Sequence, residues 1–569
     1  MAREIARYAS TESDIAKAIE LCKDNGITQV YIETFRNGFT GDKEQLSLAR
    51  DRFRSAGFEV AGAVCTNRYG VPGTTLTEYP CLTRRKTQAQ LEEVFGYTAG
   101  IFDLVLIDEY LWSHCQCDEC KRAKGNDSWT EFRCRQMVDA CRQHVIEPSR
   151  RVNPRVTLLY KFPAMYEQFT RQGQDAGRLS RIFDGVWAGS EVGPFGESPQ
   201  GMLRSQGAYR AYVIMSWLTA VAKSQLGGSW IMPLEDTSYL IDSAYQTILG
   251  RPGEIVLHPF GGLSTEYGWV FPGGQHQFQK LLADLEGLVR LKAIADANPP
   301  RGLLAARPIH AEPHISGKAY DANIFDFLGL VGIPVVMSSR LTGEAEGYFL
   351  SLHARSAEGF KEVIATLNTS PKPVLLTDGL ASVLDDSLLH GPNVHVLHAS
   401  IPMPTLYDYR SVPDPYDLRL ARTPVPYPDA WKALDDDTGW DVSMRYNCDP
   451  LMAARVFSHV LDLHPKFRQD RGAGAQTILQ DIRDTVLGAF GIHFEAPMYV
   501  SIHPLGARHV CLHNMNERSI EAVVRSSAGP NAFVEVNLPS ANTVTVNREA
   551  TGHRVRLGPH TLVCLRFTA

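Results

Sequence analysis

The sequence predicts an α/β protein that begins with a (β/α)8 TIM barrel, continues with a Rossmann-like or flavodoxin-like α/β domain and ends with a β-sandwich. In the first part, short β-branched runs alternate with helix-length segments, which is the βα repeat of a parallel sheet. The same alternation resumes after the breaker at 298–301 (Asn-Pro-Pro-Arg). The last part holds short runs of period two. We therefore place the domains at 1–300, 301–490 and 491–569.

Eight strand-like runs support the barrel. The first is expected near residues 7–9, before a helix (SDIAKAIELCKDNG) that Gly26 ends. The next runs are TQVYIETF, FEVAGAVCT, FDLVLIDEY, RVTLLYKFP, FDGVWAGSE, GSWIMPLED and EIVLHPFGG. Eight βα units in this length favour a closed barrel over an open doubly wound sheet, which is the alternative. Most of these runs end in charged, amide or aromatic residues, and in a barrel those ends line the mouth of the active site.

The remaining segments predict the other two domains. The segments FDFLGLVGIPVVMS, EGFKEVIATLN and KPVLLTDGL again mix strand and helix signals. A proline-rich stretch at 402–428 then suggests an irregular connector, and LMAARVFSHVLDLH and QTILQDIRDTVLGAFG suggest helices. Runs such as APMYVSIHPLG, RHVCLHNMN and TLVCLRFT alternate as strands of a β-sandwich do.

Composition excludes several classes of protein. The 569 residues are 44% hydrophobic and 21% charged, as in globular proteins, and allow two to four domains. A net charge of −6 gives no basic surface for nucleic acid. No apolar run reaches the ~18–20 residues of a membrane helix, and the start lacks a signal pattern. We therefore expect a cytoplasmic protein with no nucleic-acid or membrane partner.

The most specific motif joins two carboxylates to a cysteine cluster. Asp108 and Glu109 end the apolar run VLI, and Tyr110 and Trp112 follow. A carboxylate at such a strand end faces the mouth of a barrel, where burial can raise its pKa into the range of a general acid. A helix cap or a surface charge is the alternative for either residue alone. The pair, with two aromatic residues after it, favours a catalytic function.

The cysteines predict a structural metal site. Cys115, Cys117 and Cys120 form a C-x-C-x-x-C motif, and three thiolates so close together favour a bound cation such as zinc. Cys81 is the preferred fourth ligand, with Cys65 and His114 as rivals. Four protein ligands would leave no position for water, so the ion would have a structural role. Reduced, buried cysteines without metal are the alternative. No motif for an organic cofactor is present.

Two further carboxylates follow later strands. Glu191 follows the run VWAGS, and Glu235 follows WIMPL. Two facing carboxylates about 5 Å apart give a retaining glycosidase, and about 6.5–9.5 Å gives an inverting one. A salt-bridged or solvated carboxylate is an equally good interpretation of each residue alone. The polar and aromatic side chains that could bind a sugar are Arg36, Asn67, Tyr110, Trp112, Lys161, Trp187, Trp230 and His258.

The order of domains and the acid-bearing strand before C-x-C-x-x-C resemble glycoside hydrolase family 42, the β-galactosidases. The resemblance implies that Glu109 is the acid/base, that Glu235 is the nucleophile, and that Cys81, Cys115, Cys117 and Cys120 hold zinc. It also implies a homo-oligomer, a dimer or a trimer, built partly by the middle domain.

The sequence departs from that family at Asp108, where the β-galactosidase pattern has Asn, and in the short interval before the cysteines. Segments such as IDEYLWSHCQCDECKRAKGNDSWTEFR look closer to uncharacterised glycosidase-like proteins of the same architecture. The resemblance therefore implies the architecture and the glycosidase class but not galactose. The resulting hypothesis is a retaining, exo-acting glycoside hydrolase of small oligosaccharides or glycosides. Its alternatives are an α-glycosidase that pairs Asp108 or Glu109 with Glu191, and an inactive carbohydrate-binding protein.

Overall fold

The computed structural model describes most of the chain. The residues outside the description are 1, 3, 4, 6, 7, 37, 67–80, 109–112, 114, 165, 167, 168, 192–195, 198–202, 205–207, 233–238, 259, 264–273, 312–314, 317, 318, 321–323, 398–400, 403–473, 498, 517 and 541–543. The chain forms two compact units. The first unit comprises Met1–Gly189, Val221–Pro233 and Gly253–Leu282, and the second comprises Ser190–Ala220, Leu234–Pro252 and Ala283–Ala569. The predicted domain boundaries at 300 and 490 stay predictions.

The described helices alternate with strands through the first part of the chain and thin out afterwards. The helices are α1 Glu12–Asp24, α2 Lys43–Ser55, α3 Arg85–Ala99, α4 Asp118–Lys124, α5 Trp129–Cys141, α6 Glu147–Val152, α7 Ala176–Ile182, α8 Tyr209–Ala222, α9 Tyr239–Leu249, α10 Gly274–Ala283, α11 Leu285–Ala297, α12 Ile324–Leu330, α13 Phe360–Ala365, α14 Asp378–Ala381 and α15 Gly474–Gly488.

The described strands fall into one large parallel sheet, a second parallel sheet and several antiparallel sheets. The strands are β1 Gln29–Arg36, β2 Phe39–Thr40, β3 Glu59–Val64, β4 Leu104–Ile107, β5 Thr157–Phe162, β6 Gly185–Gly189, β7 Gly196–Glu197, β8 Leu203–Arg204, β9 Leu226–Ile231, β10 Glu254–Leu257, β11 Leu303–Ala306, β12 Ile315–Ser316, β13 Ala319–Tyr320, β14 Val335–Ser338, β15 Tyr348–Leu350, β16 Val374–Thr377, β17 Val394–Leu397, β18 Ile401–Pro402, β19 Ile492–Glu495, β20 Val500–Leu505, β21 His509–Asn514, β22 Ile520–Ser526, β23 Asn531–Leu538, β24 Thr545–Glu549, β25 Gly552–Leu557 and β26 Thr561–Thr568.

The first unit is organised around an eight-stranded sheet of order β10-β9-β6-β5-β4-β3-β1-β2. Seven of its strands pair in parallel, and the two-residue β2 forms an antiparallel hairpin with β1. The sheet curls until side chains of distant strands meet: the Tyr31 hydroxyl on β1 donates to Glu254 Oε2 on β10 at 3.2 Å. The curled sheet is that of a (β/α) barrel, as the sequence predicts.

One predicted strand of this sheet is wrong. Residues 7–9 were expected to form the first barrel strand, but the Ala9 N–H donates to the Ile5 carbonyl at 2.9 Å, which is the i to i−4 bond of a helix. The predicted helix after it is present as α1, with Thr11 and Asp14 forming a capping box at its start. Among the described parallel strands, β4 before Asp108 is therefore the third rather than the fourth.

The second unit contains a parallel sheet and two larger antiparallel sheets. Five parallel strands have the order β14-β11-β15-β16-β17, with the first strand in chain order between the second and the third, as in flavodoxin-like sheets. Two four-stranded antiparallel sheets, β19-β22-β25-β24 and β20-β21-β26-β23, form the C-terminal part. The assignment of these sheets to a Rossmann-like domain and a β-sandwich stays a prediction. Within the described residues, no helix combines the length and apolarity that crossing a membrane requires.

A buried histidine makes the stability of the second unit depend on pH. His503 on β20 packs against the rings of Tyr209 and Tyr212, with centroids 5.3 and 4.8 Å away. Burial, with a smaller effect of His513, lowers the pKa of His503 to about 3. An unfolded histidine has a pKa of about 6.5, so below that pH the unfolded chain binds a proton that the folded chain does not.

We predict that stability rises with pH between about 3 and 6.5, and that His503 supplies up to ~1.4 kcal/mol per pH unit of this slope. His503→Gln should flatten the slope, measured as the urea unfolding midpoint at pH 4 to 8. The exposed His390 is the matched control, and His390→Gln should leave the slope unchanged. An unaltered slope in His503→Gln would contradict the prediction.

Candidate functional site

A buried carboxylate at the carboxyl edge of the first sheet lies between two cations. Asp108 directly follows β4 and is 4% exposed. Its Oδ2 accepts from Arg36 Nη2 at 2.8 Å, and its Oδ1 lies 3.3 Å from Lys161 Nζ. Arg36 ends β1, and Lys161 lies one residue before the end of β5. Two cations this close favour the ionised form of the Asp108 carboxylate.

A second carboxylate extends the charge pairing. Arg36 Nε donates to both carboxylate oxygens of Glu33, at 2.8 and 3.0 Å, and the Ala2 N–H donates to Glu33 Oε2 at 2.6 Å. Burial opposes the charge of Arg36, but Cys65, Glu33 and Asp108 raise its pKa well above the ordinary value. Two anions and two cations thus alternate from Glu33 to Lys161, and their charges cancel.

A β-bulge brings Glu33 and Arg36 to the same face. In a regular strand, residues three apart point to opposite faces. The register of β1 against β3 shifts between Glu33 and Phe35, which leaves Thr34 as an extra residue. The bulge reverses the alternation after Thr34, so both ends of the Glu33–Arg36 ion pair face the interior of the curled sheet. The sequence names both residues as polar strand ends, but it contains no signal for the bulge that joins them.

Aromatic rings flank the cation of Lys161. Its Nζ lies 4.7 Å from the centroid of the Trp230 ring, which in turn stacks on His258 with centroids 4.6 Å apart. Burial and, to a smaller extent, the charge of Arg36 lower the pKa of His258 well below its ordinary value, so this imidazole is neutral. A neutral imidazole can donate one hydrogen bond and accept another, which suits the recognition of a sugar hydroxyl.

An apolar layer lies beneath these polar residues. Leu106, Leu159 and Val256 each precede a residue of the polar layer by two positions, and they pack with Trp187, Trp230 and Tyr31. Trp187 is 1% exposed, in edge contact with Tyr31 at 5.5 Å. A Cβ on Gly227 or Gly228 would approach the indole to 3.0 or 2.8 Å, so these glycines make room for it. Trp187 thus belongs to the layer beneath Lys161 and His258, and its contact with a sugar stays a prediction.

Glu254, an acid with a raised pKa, lies at the opposite edge of the same sheet. Burial, the first cause, raises the pKa of Glu254 to about 7, and Glu59 adds to the rise. Glu254 begins β10 and Glu59 begins β3, so both lie at the amino ends of their strands. Barrel enzymes carry their chemistry at the carboxyl ends. A shifted pKa alone therefore does not make Glu254 a catalytic candidate.

Several predicted site residues fall outside the described residues. They are Glu109, Glu235, Asn67, Tyr110 and Trp112. Glu191 is described and half-buried, two residues after the end of β6. Of the predicted sugar-binding side chains, the structure brings Arg36, Lys161, Trp230 and His258 into one group. Glu33 belongs to the same group, although the sequence analysis did not place it in the site.

The four predicted zinc ligands form one cluster. The Sγ atoms of Cys81, Cys115, Cys117 and Cys120 all lie within 4.8 Å of one another. Cys81 Sγ lies 3.5 Å from that of Cys120 and 3.8 Å from that of Cys117. Four sulfurs around zinc at ~2.3 Å would be separated by about 3.8 Å, so the donor set fits a tetrahedral ion. Cys117 immediately precedes α4 and Cys120 lies in its first turn, which explains how a short helix gathers two ligands.

Comparison with known proteins identifies a family and distant relatives. The family described as "Probable glycosyl hydrolase, catalytic domain" matches residues 1–291, slightly more than half of the chain. An uncharacterized protein of Saccharolobus solfataricus is 23% identical over 363 residues, which are 58% of this chain and 57% of that protein. The chain thus matches little more than half the length of this curated relative.

Two solved structures are similar to parts of the chain. An exo-β-1,4-mannosidase from Opitutaceae bacterium strain TAV5 is 12% identical, with 65% of this chain and 74% of that chain covered and a TM-score of 0.40. A single-substitution variant of GH5_18 from Streptomyces cattleya, in complex with Manb1-4GlcNAc, is 13% identical, with 68% of this chain and 93% of that chain covered and a TM-score of 0.37.

We predict that the buried charges at the sheet edge are coupled. Lys161→Met should destabilise the first unit by about 3–5 kcal/mol, because it leaves a buried anion without one of its two cations. Removing Asp108 as well, in Asp108→Asn with Lys161→Met, should cost less than the sum of the single changes. The measurement is chemical denaturation of the single and double variants.

The exposed pair of Arg52 and Glu12 supplies the control for this cycle, and its coupling should stay at or below about 1 kcal/mol. Additive losses at Asp108 and Lys161 would show that the two charges do not stabilise each other.

Proposed function

Because the chain belongs to the glycosyl hydrolase family whose catalytic domain matches residues 1–291, we propose that it is a retaining glycoside hydrolase that releases terminal sugars. The observation that supports the site is the buried anion Asp108, held by Arg36 and Lys161 at the carboxyl edge of the curled sheet. In a barrel this edge carries the active site. The proposed substrates are small oligosaccharides or glycosides.

Glu109 is proposed as the acid/base. A general acid must hold a proton before the reaction, and the ion pairs of Asp108 leave that carboxylate ionised. Asp108 thus positions the end of β4 and neutralises its two cations, and the resemblance implies that the next residue, Glu109, protonates the leaving oxygen. After protonation the glycosidic bond breaks, and the leaving alcohol carries the proton away.

A second carboxylate is proposed as the nucleophile, with Glu235 as the first candidate and Glu191 as the second. It would attack the anomeric carbon and form a glycosyl-enzyme, and water deprotonated by Glu109 would then release the sugar. Lys161, Trp230 and His258 are proposed to bind the sugar, because they combine a cation, an aromatic face and a neutral imidazole in one group. Arg36 is proposed to act through Asp108.

We also propose that the four-cysteine cluster binds a structural zinc ion. All four positions around a tetrahedral ion would be taken by sulfur, so no position is left for water or substrate. The ion would hold Cys81 to the start of α4 and do no chemistry. We also propose that the protein forms a dimer or trimer, as the resemblance implies, and that it is cytoplasmic, as the sequence predicts.

The acid/base assignment predicts different effects for two adjacent residues. Glu109→Gln should lower kcat about 10²–10⁴-fold on nitrophenyl glycosides with poor leaving groups and far less on dinitrophenyl glycosides, which need no protonation. Asp108→Asn is the matched control, and its loss should be independent of the leaving group. The substrates are a panel of nitrophenyl glycosides in both anomeric forms. A leaving-group dependence in Asp108→Asn but not in Glu109→Gln would transfer the acid role to Asp108.

The nucleophile can be identified by covalent labelling. A mechanism-based 2-fluoro sugar should label the chain once, and peptide mapping should place the label on Glu235 or Glu191. NMR of the first-formed product should show the anomer of the substrate. A label on neither residue would reject both assignments, and the opposite anomer would reject the retaining mechanism. The alternative, a catalytically inactive carbohydrate-binding protein, would bind sugars and release no nitrophenol from any member of the panel.

The cysteine cluster predicts one zinc ion per chain, measured by elemental analysis of the purified protein. Cys81→Ser and Cys120→Ser should each lower the zinc content sharply and lower the melting temperature, because a structural ion contributes its binding energy to folding. Buried Cys141 serves as the control, and Cys141→Ala should keep the ion. A wild-type chain that carries no zinc after growth in zinc-supplemented medium would refute the site.

A further inference from the structure

Helix α9 in the second unit carries buried polar residues on two adjacent faces. Asp242 and Gln246 lie one turn apart on one face, and Ser243 and Thr247 do so on the next. All four side chains are at most 1% exposed. A buried polar group costs free energy unless it is hydrogen-bonded. The hydrogen-bond partners of these four residues therefore show which segments of the chain the helix fixes in place.

The first face binds the C-terminal sheet. His513 Nε2 on β21 donates to Asp242 Oδ1 at 2.7 Å, and His560 Nδ1, just before β26, donates to Oδ2 at 2.7 Å. Gln246 Nε2 donates to His513 Nδ1 at 2.8 Å and to Ser501 Oγ at 3.2 Å. These hydrogen bonds join α9 to β20 and β21.

The carboxylate in this cluster is an anion. Burial alone would raise the pKa of Asp242, but the charge of His513 and the hydrogen bonds from His513 and His560 outweigh it and lower the pKa. Removing one partner of such a buried group is strongly destabilising. The position and rotation of α9 are therefore fixed by two histidines that lie about 270 and 320 residues later in the sequence.

The second face of α9 holds the residue before Glu191. Ser243 Oγ donates to the Ser190 carbonyl oxygen at 2.6 Å, and Thr247 Oγ1 donates to Ser190 Oγ at 2.8 Å. Ser190 itself is fully buried, whereas Glu191 is half-buried. One helix thus binds both the backbone and the side chain of Ser190, and Glu191 is the next residue in the chain.

We propose that α9 positions Glu191, and that Asp242, His513 and His560 act as positioning residues by holding α9 to the C-terminal sheet. The proposal rests on the proposed function, and it prefers Glu191, the second candidate there, to Glu235 as the nucleophile. A misplacement of about 1 Å at a reacting group can cost ~10²-fold in rate, so a rigid support of this kind has a direct effect on turnover. The C-terminal sheet thereby contributes to catalysis without contacting the substrate.

The test removes the two hydroxyls that bind Ser190. Ser243→Ala combined with Thr247→Val should lower kcat at least tenfold with KM nearly unchanged, and the loss should be equal for good and poor leaving groups. Inactivation by the 2-fluoro sugar should slow by the same factor, since both steps need the nucleophile in place. Thr247→Ser in the Ser243→Ala background keeps one hydroxyl and should recover part of the rate.

Hydrogen exchange supplies a readout that does not need activity. Amides around Ser190 should exchange at least tenfold faster in Ser243→Ala/Thr247→Val, and also in Asp242→Asn, than in the wild-type chain. The control is Ser351→Ala, which removes another fully buried hydroxyl, hydrogen-bonded to His353, directly after β15. It should leave both the exchange around Ser190 and the turnover unchanged.

The outcomes separate this proposal from the proposed function. Unchanged exchange around Ser190 in the double variant overturns the positioning role, whatever the activity. Faster exchange with unchanged kcat in an active enzyme overturns it as well, because Glu191 would then not be the residue that needs support. A wild-type chain that cleaves no glycoside of the panel contradicts the proposed function, and the exchange data still decide whether α9 holds this segment.

Discussion

The carboxyl edge of the first sheet depends on the pairing of charges that are largely buried. Asp108 is ionised between Arg36 and Lys161, and Arg36 also binds Glu33, so no charge in the row lacks an opposite neighbour. An unpaired charge at this depth would cost several kcal/mol. The pairing therefore ties the ends of β1, β4 and β5 to one another, and it gives the segment after β4 a fixed starting point. This is the segment that carries Glu109.

The same pairing constrains the chemistry. A site for glycoside hydrolysis needs one carboxyl that holds a proton and one that does not, and their surroundings must keep them different. The two cations beside Asp108 favour its ionised form. Burial and the charge of Arg36 also keep His258 neutral. Of the two side chains beside the Trp230 ring, Lys161 and His258, Lys161 is therefore the cation. Lys161 thus supplies the charge, Trp230 the aromatic face and His258 the hydrogen bonding.

Much of this arrangement follows from the sequence, and its limits have physical causes. Period-two alternation places Asp108 above Leu106 and Lys161 above Leu159, so polar strand ends predict a polar layer over an apolar one. The bulge at Thr34, which turns Arg36 inward, is set by the register against β3 and has no local signal. The strand expected at residues 7–9 failed because a run of three residues is too short to distinguish strand from helix. Three members of the cysteine cluster were predictable because their C-x-C-x-x-C spacing is local, whereas the distant Cys81 had rivals that only the fold separates from it.

The support behind Glu191 could not be predicted, because every part of it joins distant stretches of the chain. Asp242 and Ser243 read as ordinary helix residues, and His513 and His560 read as strand residues of a separate domain. Only the fold shows that adjacent side chains of α9 bind different partners. Asp242 binds two histidines at the C-terminal sheet, and Ser243 binds Ser190. A helix that joins two buried polar clusters has little freedom to shift, since a movement that relaxes one cluster breaks the other. The C-terminal sheet is in this sense part of the frame that holds the candidate acid.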